Sequence, residues 1–314
     1  MRTKLAIAFL IITKDRNSEL FICLNSIFEA ISNYQSNDRF EIIILNNGGK
    51  IESNQLIYEY LCSLNKSKNI QKKEIILNLI YSDYNKGVAE GRNILFCNTK
   101  ADILIFIDDD AEILNKENFI QIIKQIYDND RRVGIIAVKS VDPKGEIIIK
   151  EIPRLCCVKN KHIAFSYVGV CHIIFKRCVE NESFLYPKNL FYGMEEFYLS
   201  IKTINKGFDI LYSPKLRVMH HKSRASRLSD EQYYITLASN KIYIAYLLQN
   251  KFIYYSYFFF WSLWLLYKIK RVDSIFGLIK RLSRLKKNTN RDYFIKLNHN
   301  FFRYIKCFKR NLIY

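Results

Sequence analysis

Three carboxylates stand in a row at Asp108, Asp109 and Asp110, directly after the apolar run ADILIFI. Adjacent like charges repel, and a chain with 49 Lys and Arg against 30 Asp and Glu has no need of an acidic knot for solubility. Such a cluster either gathers a hard cation on its oxygens or is a solvated acidic turn. Other groups able to do chemistry come in pairs. Glu195 and Glu196 open a helical stretch, where the helix dipole favours carboxylates in any case. His220 and His221 close an apolar stretch; they read as strand-end histidines or, beside a metal, as imidazole ligands. Arg16 and Arg92, taken alone, read as solvated surface cations.

The elements that must position these groups alternate. KLAIAFLII is a continuous apolar run, the pattern of a parallel strand buried on both faces. SELFICLNSIFEAI puts Leu20, Leu24, Ile27, Phe28 and Ile31 on one helical face. FEIIILNN is a second strand, stopped by Asn46-Asn47-Gly48-Gly49; a helix, then EIILNLIYSD, GVAEGRNILFCNT and DILIFID continue as strand, helix and strand. This order predicts a doubly wound α/β domain, in which ligands bind beyond the carboxyl ends of the strands. Thr13 to Arg16, Asn46 to Gly49, Ser82 to Asn85 and Asp108 to Asp110 would then line one crevice.

From Gly134 to Tyr192 the pattern is less regular. RVGIIAVKSVD, GEIIIKEI and SYVGVCHIIFK read as strands of an acceptor-side subregion. MEEFYLSIKTINKGF is a helix that ends at Gly207, a C-cap, and DILYSPKLRVMHH is a strand that ends in the paired histidines.

Composition bounds the rest. The 314 residues are 49% hydrophobic and 25% charged, with only 10 Gly and 4 Pro, so a packed core is expected and a collagen-like or linker-rich chain is excluded. The net charge of +19 points to a polyanionic partner. The eight cysteines are scattered, show no zinc-like spacing, and read as reduced, mostly buried thiols of a cytosolic protein. MRTKLAIAFLIITKDR has the basic start of a signal peptide but no small-residue cleavage site, and reads as a first buried strand.

With these residues in order, the chain resembles the family-2 glycosyltransferases of the GT-A fold, over about Ala6 to Ser226. FLIITKDRNSELFICLNSI is similar to the family's opening strand, loop and helix. EIIILNNGG is similar to its second strand end, YNKGVAEGRN to its N-x-G-x-x-x-A-R-N segment, and DILIFIDDD to its DxD strand end. YGMEEFYLSIKTINKGFDILYSP resembles the G-E-D-x-D-L-x-x-R-x-x-x-x-G helix, and VMHHKS the closing V-x-H-x-x-S. One DxD is a weak signal; six segments in order are a strong one.

The resemblance implies a GT-A, Rossmann-like nucleotide-sugar-binding domain at residues 1–226. It also implies an inverting transfer from a nucleoside-diphosphate sugar, UDP or dTDP being the carrier, that depends on Mn²⁺ or Mg²⁺. Asp110 and His220 would hold the metal, His220 lying three residues before Ser223. Asp108 would contact the ribose or sugar, with Asp109 beside it; Thr13, Asp15, Arg16, Asn46 and Arg92 complete the donor site. Glu196 would be the general base, with Glu195 as the other candidate. Asn46 departs from the usual aspartate: its carbonyl can accept a base imide N–H, but without charge assistance.

Residues 227–314 read as a separate α-helical extension. Phe252 to Tyr267 holds ten aromatics and no charge, and is shorter than the ~20 residues a spanning helix needs. VDSIFGLIKRLSRLKK carries an apolar stripe of Ile275, Leu278, Ile279, Leu282 and Leu285 beside Lys280, Arg281, Arg284 and Lys286. From Lys251 onward 15 Lys and Arg face 2 Asp, a surplus of 13. The pattern predicts peripheral attachment to an anionic membrane surface, at the cytoplasmic face of the plasma membrane; together with the family resemblance it implies a glycan or lipid-linked acceptor in surface polysaccharide assembly. Packing on the catalytic domain or on a second subunit is the competing reading, so an oligomer is left open. No nucleic-acid module is recognisable, and no nucleic acid is expected as partner. Two other functions are weighed. Nucleotidyl transfer would need a glycine- and lysine-rich loop after the first strand, which TKDRNSE is not. An inactive transferase fold serving as a membrane-binding scaffold is favoured by Asn46 and disfavoured by the two acidic clusters.

Overall fold

A computed structural model describes residues 4–67, 73–222 and 229–308. In chain order the first half runs β1 (Ala6–Thr13), α1 (Asn17–Asn33), β2 (Arg39–Asn47), α2 (Glu52–Ser67), β3 (Ile75–Ser82), α3 (Gly87–Cys97), β4 (Ile103–Ile107), β5 (Ala111–Ile113) and α4 (Phe119–Asn129). The second half runs β6 (Val133–Val141), β7 (Leu155–Val158), β8 (Lys161–Ala164), β9 (Cys171–Phe175), α5 (Glu195–Asn205), β10 (Asp209–His220), α6 (Asp230–Leu247), α7 (Lys251–Ile269), α8 (Asp273–Lys287) and α9 (His299–Lys306).

One sheet carries the order β3-β2-β1-β4-β9-β6-β10-β8-β7, with β5 paired to the end of β10. Strands β3, β2, β1 and β4 are parallel; β9 runs antiparallel between β4 and β6. The apolar runs are buried on both faces because each residue parity has its own cover. Ile7, Phe9 and Ile11 of β1 pack with Leu20, Leu24, Ile27 and Phe28 of α1 on one side. Ala8 and Leu10 pack on the other side in a core that continues through α3 and α5 to Tyr243, Leu278 and Phe301 of the C-terminal helices. The helical extension therefore shares its apolar core with the central sheet. The boundary expected between residues 226 and 227 lies outside the described residues, as does Ser223.

The register sets the crevice. Thr13 pairs with Asn46 and Asn46 with Tyr81, so the first strands end level with one another. Ile107 of β4 pairs with Cys171, and the three aspartates follow at once. His220 pairs with Ala111 through β5, which brings the end of β10 back to the aspartates. Helix α5 stops as predicted at Gly207: at φ 90° its N–H bonds Ile204 O while Phe208 N–H bonds Thr203 O, a C-cap that an L side chain would strain.

The structure departs from or adds to the sequence reading in three places. GEIIIKEI is not a strand. Asp142 closes a turn by accepting from Lys144 and Glu146 N–H, only Ile147 bridges to Val141, and a single 3-10 turn follows at Ile149–Glu151. Its apolar run has nothing to bury it, and Ile149 is 80% exposed. Leu155–Val158 and Lys161–Ala164, unread in the sequence, form a hairpin around Lys159 and Asn160, both at positive φ. In α8, Leu278, Leu282 and Leu285 are buried as the stripe requires, whereas Ile279 is exposed.

Candidate active site

The strand ends place the sequence-marked residues in one cluster. Asp109 is wholly buried, with Thr13 Oγ1 donating to its Oδ2 across 2.8 Å and Arg16 Nη2 2.5 Å from its Oδ1. Burial pushes its carboxyl up to about 7, against the pull of Arg16 and the Thr13 hydroxyl. Asp109 thus sits beneath the crevice, as a brace between β4 and the loop after β1. Asp108 is the open one of the three, its side chain 41% exposed, and Arg92 Nη2 lies 3.4 Å from its Oδ1. Asp110 accepts from Arg16 Nη1 at 3.0 Å through Oδ2, while its Oδ1 lies 3.6 Å from His220 Nε2.

His220 and His221 part company here. His220 Nδ1 pairs with Glu151 Oε1 at 3.0 Å, so Glu151 stands behind the imidazole whose Nε2 faces Asp110. Burial works against a charged imidazole, but Glu151, with Asp110 and Asp108, outweighs it and raises the His220 pKa. Glu151 itself is lowered to about 2, because His220, Ser140 and Lys222 more than offset its desolvation. His221 turns instead to Glu112, at 3.4 Å. Among the described residues no three His, Cys, Asp or Glu side chains form a complete metal cage. Asp110 and His220 fit part of one: an oxygen and an imidazole nitrogen, side by side, with a carboxylate orienting the far ring nitrogen. The other positions of a hard divalent ion suit phosphate oxygens and water.

Arg92 is the hub of the site. It is 4% exposed, and its guanidinium reaches Glu196 Oε1 at 2.9 Å, Glu195 Oε1 at 3.3 Å, Asp108 and the carbonyl of Gly169 at 3.1 Å. Sequence reading assigned it to the donor pocket; the structure places it between the aspartates and the glutamates. Glu195 is buried, and its pKa is pushed up to about 8 by desolvation and by the neighbouring Glu196, against the pull of Arg92. Glu196 is the more open of the pair.

Asn46 is 1% exposed and mostly engaged: its amide donates to Lys50 O and Asn54 Oδ1, and its carbonyl accepts Gly49 N–H at 3.1 Å. Asp15, at φ 54°, accepts Lys50 N–H at 2.8 Å and ties the loop after β1 to the loop after β2.

Three residues that sequence reading missed complete the site. Glu151 lies in the misread GEIIIKEI segment. Gly169 admits the hub because a Cβ there would stand 2.1 Å from Glu196 Oε1 and 2.6 Å from Arg92 Nη2. Asn240 of α6 donates to the carbonyls of Tyr192 and Gly193 at 2.9 and 2.8 Å. It thereby holds the left-handed Gly193–Met194 turn that launches α5 and its two glutamates. Only the lone Gly169 carried a sequence signal, as a break in an apolar run.

A model described as glycosyl transferase family 2 matches residues 8–175, just over half of the chain. Over 193 residues the chain is 28% identical to an uncharacterized protein of Haemophilus influenzae, covering 59% of this chain and 95% of that one. Among solved structures it is similar to the mannosyltransferase PcManGT of Pyrobaculum calidifontis, in complex with GDP-Man and Mn²⁺: 11% identity and a TM-score of 0.60, over 93% of this chain and 78% of that one. It is also similar to S. aureus TarS 1-349 in complex with UDP-GlcNAc, at 13% identity and a TM-score of 0.61, over 93% and 83% of the two chains. At such identities the structural likeness carries the fold, and that fold is GT-A. The family match takes in Thr13, Asn46, Arg92 and all three aspartates, so this chain belongs to glycosyl transferase family 2 and is a glycosyltransferase.

Proposed function

We propose that this glycosyltransferase is metal-dependent and inverting, and moves a sugar from a nucleoside diphosphate to a hydroxyl of a glycan or lipid-linked acceptor in surface polysaccharide assembly. The observation that carries the reading is Arg92. It spans from Asp108, at the strand end, to Glu196, at the start of α5, so the groups for donor and acceptor chemistry share one crevice.

Asp110 and His220 are the residues that would hold Mn²⁺ or Mg²⁺. Such an ion, when bound, neutralises charge that builds on the departing diphosphate. The remaining roles fall to the chain itself. Glu196 takes the proton of the acceptor hydroxyl as that oxygen bonds the anomeric carbon and the bond to the diphosphate oxygen breaks. Burial and the neighbouring Glu196 raise the Glu195 pKa, which favours its protonated form and limits the negative charge beside the base. Arg92 holds Glu196 in place, and Asp108 is the exposed carboxylate nearest the ribose or sugar. Thr13 and Arg16 work through Asp109 and Asp110, which they fix; Asp15 and Asn46 shape the pocket for the base. PcManGT was solved with GDP-Man and TarS with UDP-GlcNAc. The family reading of this chain favours UDP or dTDP. The basic, aromatic extension supports a peripheral position on the cytoplasmic face of the plasma membrane.

Asn46 lends some support to an inactive scaffold; the intact Asp108–Asp110 and Glu195–Glu196 clusters count against it. The test is a thermal-shift screen of UDP, dTDP, GDP and CDP with and without Mn²⁺. A ligand at 100 times its Kd adds about 2.7 kcal/mol of stability. One nucleotide should stabilise the protein, strongly only with Mn²⁺, and Asp110→Ala should abolish the metal-dependent part. Folded protein that responds to no nucleotide, with or without metal, would sink the proposal.

A further inference from the structure

We infer that the outer face of α7 and α8 docks on an anionic lipid bilayer, with α7 lying in the headgroup plane. This rests on the peripheral-membrane reading of the extension and gives it a surface. Helix α7 has 19 residues, about 28 Å of helix. Its inner side is accounted for: Ile253, Tyr257 and Leu265 are buried against the protein. Its outer side is apolar as well. Phe252, Tyr255, Phe259, Leu263 and Tyr267 recur every three or four residues along one exposed stripe, and Phe276 of the adjoining α8 is exposed as well. Phe252 is 80%, Tyr267 73% and Phe276 72% exposed. A contiguous apolar face of this length is a binding surface unless something covers it.

Charge decides what covers it. Lys251, Lys268 and Lys270 stand at the ends of the α7 stripe, and Lys280, Arg284 and Lys287 are exposed on α8, which packs against α7. Asp273 is the one carboxylate on these two helices, and it is already paired with Arg271. A second copy docking face to face would set these cations against themselves. An apolar or acidic protein partner would leave either the cations or the aromatics unmatched. Anionic headgroups over acyl chains satisfy both at once. Among the described residues no helix is long and apolar enough to cross a membrane, which suits a helix lying in the interface.

The test is co-sedimentation of the full chain with phosphatidylcholine vesicles, with and without phosphatidylglycerol, read beside its thermal melt and its sedimentation velocity. Wild type should bind only the phosphatidylglycerol vesicles and lose binding as salt rises. Each reversal among Lys280→Glu, Arg284→Glu and Lys287→Glu should weaken binding at least fivefold, since a basic side chain near such a surface contributes roughly 1 kcal/mol. Phe252→Ser/Phe259→Ser/Phe276→Ser should abolish binding while the melt and the nucleotide response stay unchanged. Asp110→Ala should bind vesicles as wild type does, so a failed metal site and a failed membrane face are told apart. The inference is overturned if folded wild type ignores both vesicles, or if the triple serine variant still binds. It is also overturned if that variant turns a dimer into a monomer with vesicle binding intact.

Discussion

Arg92 donates to Glu196 Oε1 across 2.9 Å, from a position 4% exposed to solvent. A buried guanidinium that also meets Glu195, Asp108 and the Gly169 carbonyl fixes the spacing of the whole site. Its charge is what allows carboxylates from β4 and α5 to stand close together.

Removing it leaves buried carboxylates without a counter-charge. Arg92→Ala is therefore expected to cost about 3–5 kcal/mol of stability in urea unfolding, and to lower kcat by two orders of magnitude or more. Arg92→Lys keeps the charge but not the fork, so it should recover much of the stability and little of the kcat. An alanine variant within 1 kcal/mol of wild type would show that the hub is not what holds the site.

Glu151 tests the metal pair without touching it. Its carboxylate orients His220 through Nδ1 at 3.0 Å, leaving Nε2 toward Asp110. Partners placed this way typically contribute 10–100-fold in metal affinity. Glu151→Gln should weaken Mn²⁺ binding in the presence of nucleotide by that factor, as read by titration calorimetry on protein shown to be folded. Unchanged Mn²⁺ affinity would remove His220 from the metal shell.

How much of this was legible in the sequence follows from how local each cause is. Asp108 to Asp110 and Thr13 could be placed because a buried parallel strand must end in polar residues at one edge of the sheet, and both strands announce themselves as apolar runs. Arg92 could be marked but not understood, because its partners lie 16 to 104 residues away and only the fold brings them together. Glu151 could not be found at all. Its segment has the composition of a strand, and what keeps it out of the sheet is the Asp142 turn and the pull of His220 from another element. The α7 face was legible as aromatic. Which half of it turns inward depends on the packing of α6 and α8 around it.

The extension also reaches the chemistry. Asn240 of α6 grips the Tyr192 and Gly193 carbonyls, and Arg281 of α8 steadies it, Nη2 lying 3.3 Å from its Oδ1. Asn240→Asp is isosteric but cannot donate. It should let the Gly193–Met194 turn drift and lower kcat ten- to a hundredfold, while the KM for the donor, set at the strand ends, changes less than threefold. Equal losses in kcat and donor affinity would point to general unfolding instead of misplaced glutamates.

Glu195 makes the clearest pH prediction. Its pKa rises from an ordinary 4.5 to about 8 in the folded chain, because burial and the nearby Glu196 disfavour its charge. The folded state thus binds a proton that the unfolded state has released, and the sign follows. The stability linked to this proton is intact below pH 4.5, declines as pH rises, and is gone once pH passes about 8. Glu195→Gln has no proton to lose. In urea unfolding across this range, wild type should lose stability relative to the glutamine variant by a few kcal/mol as pH rises, with the gap still widening above neutrality. Parallel curves would mean that Glu195 is ionised in the folded protein at neutral pH; Arg92 would then balance two anions, and Glu195 would compete with Glu196 for the role of base.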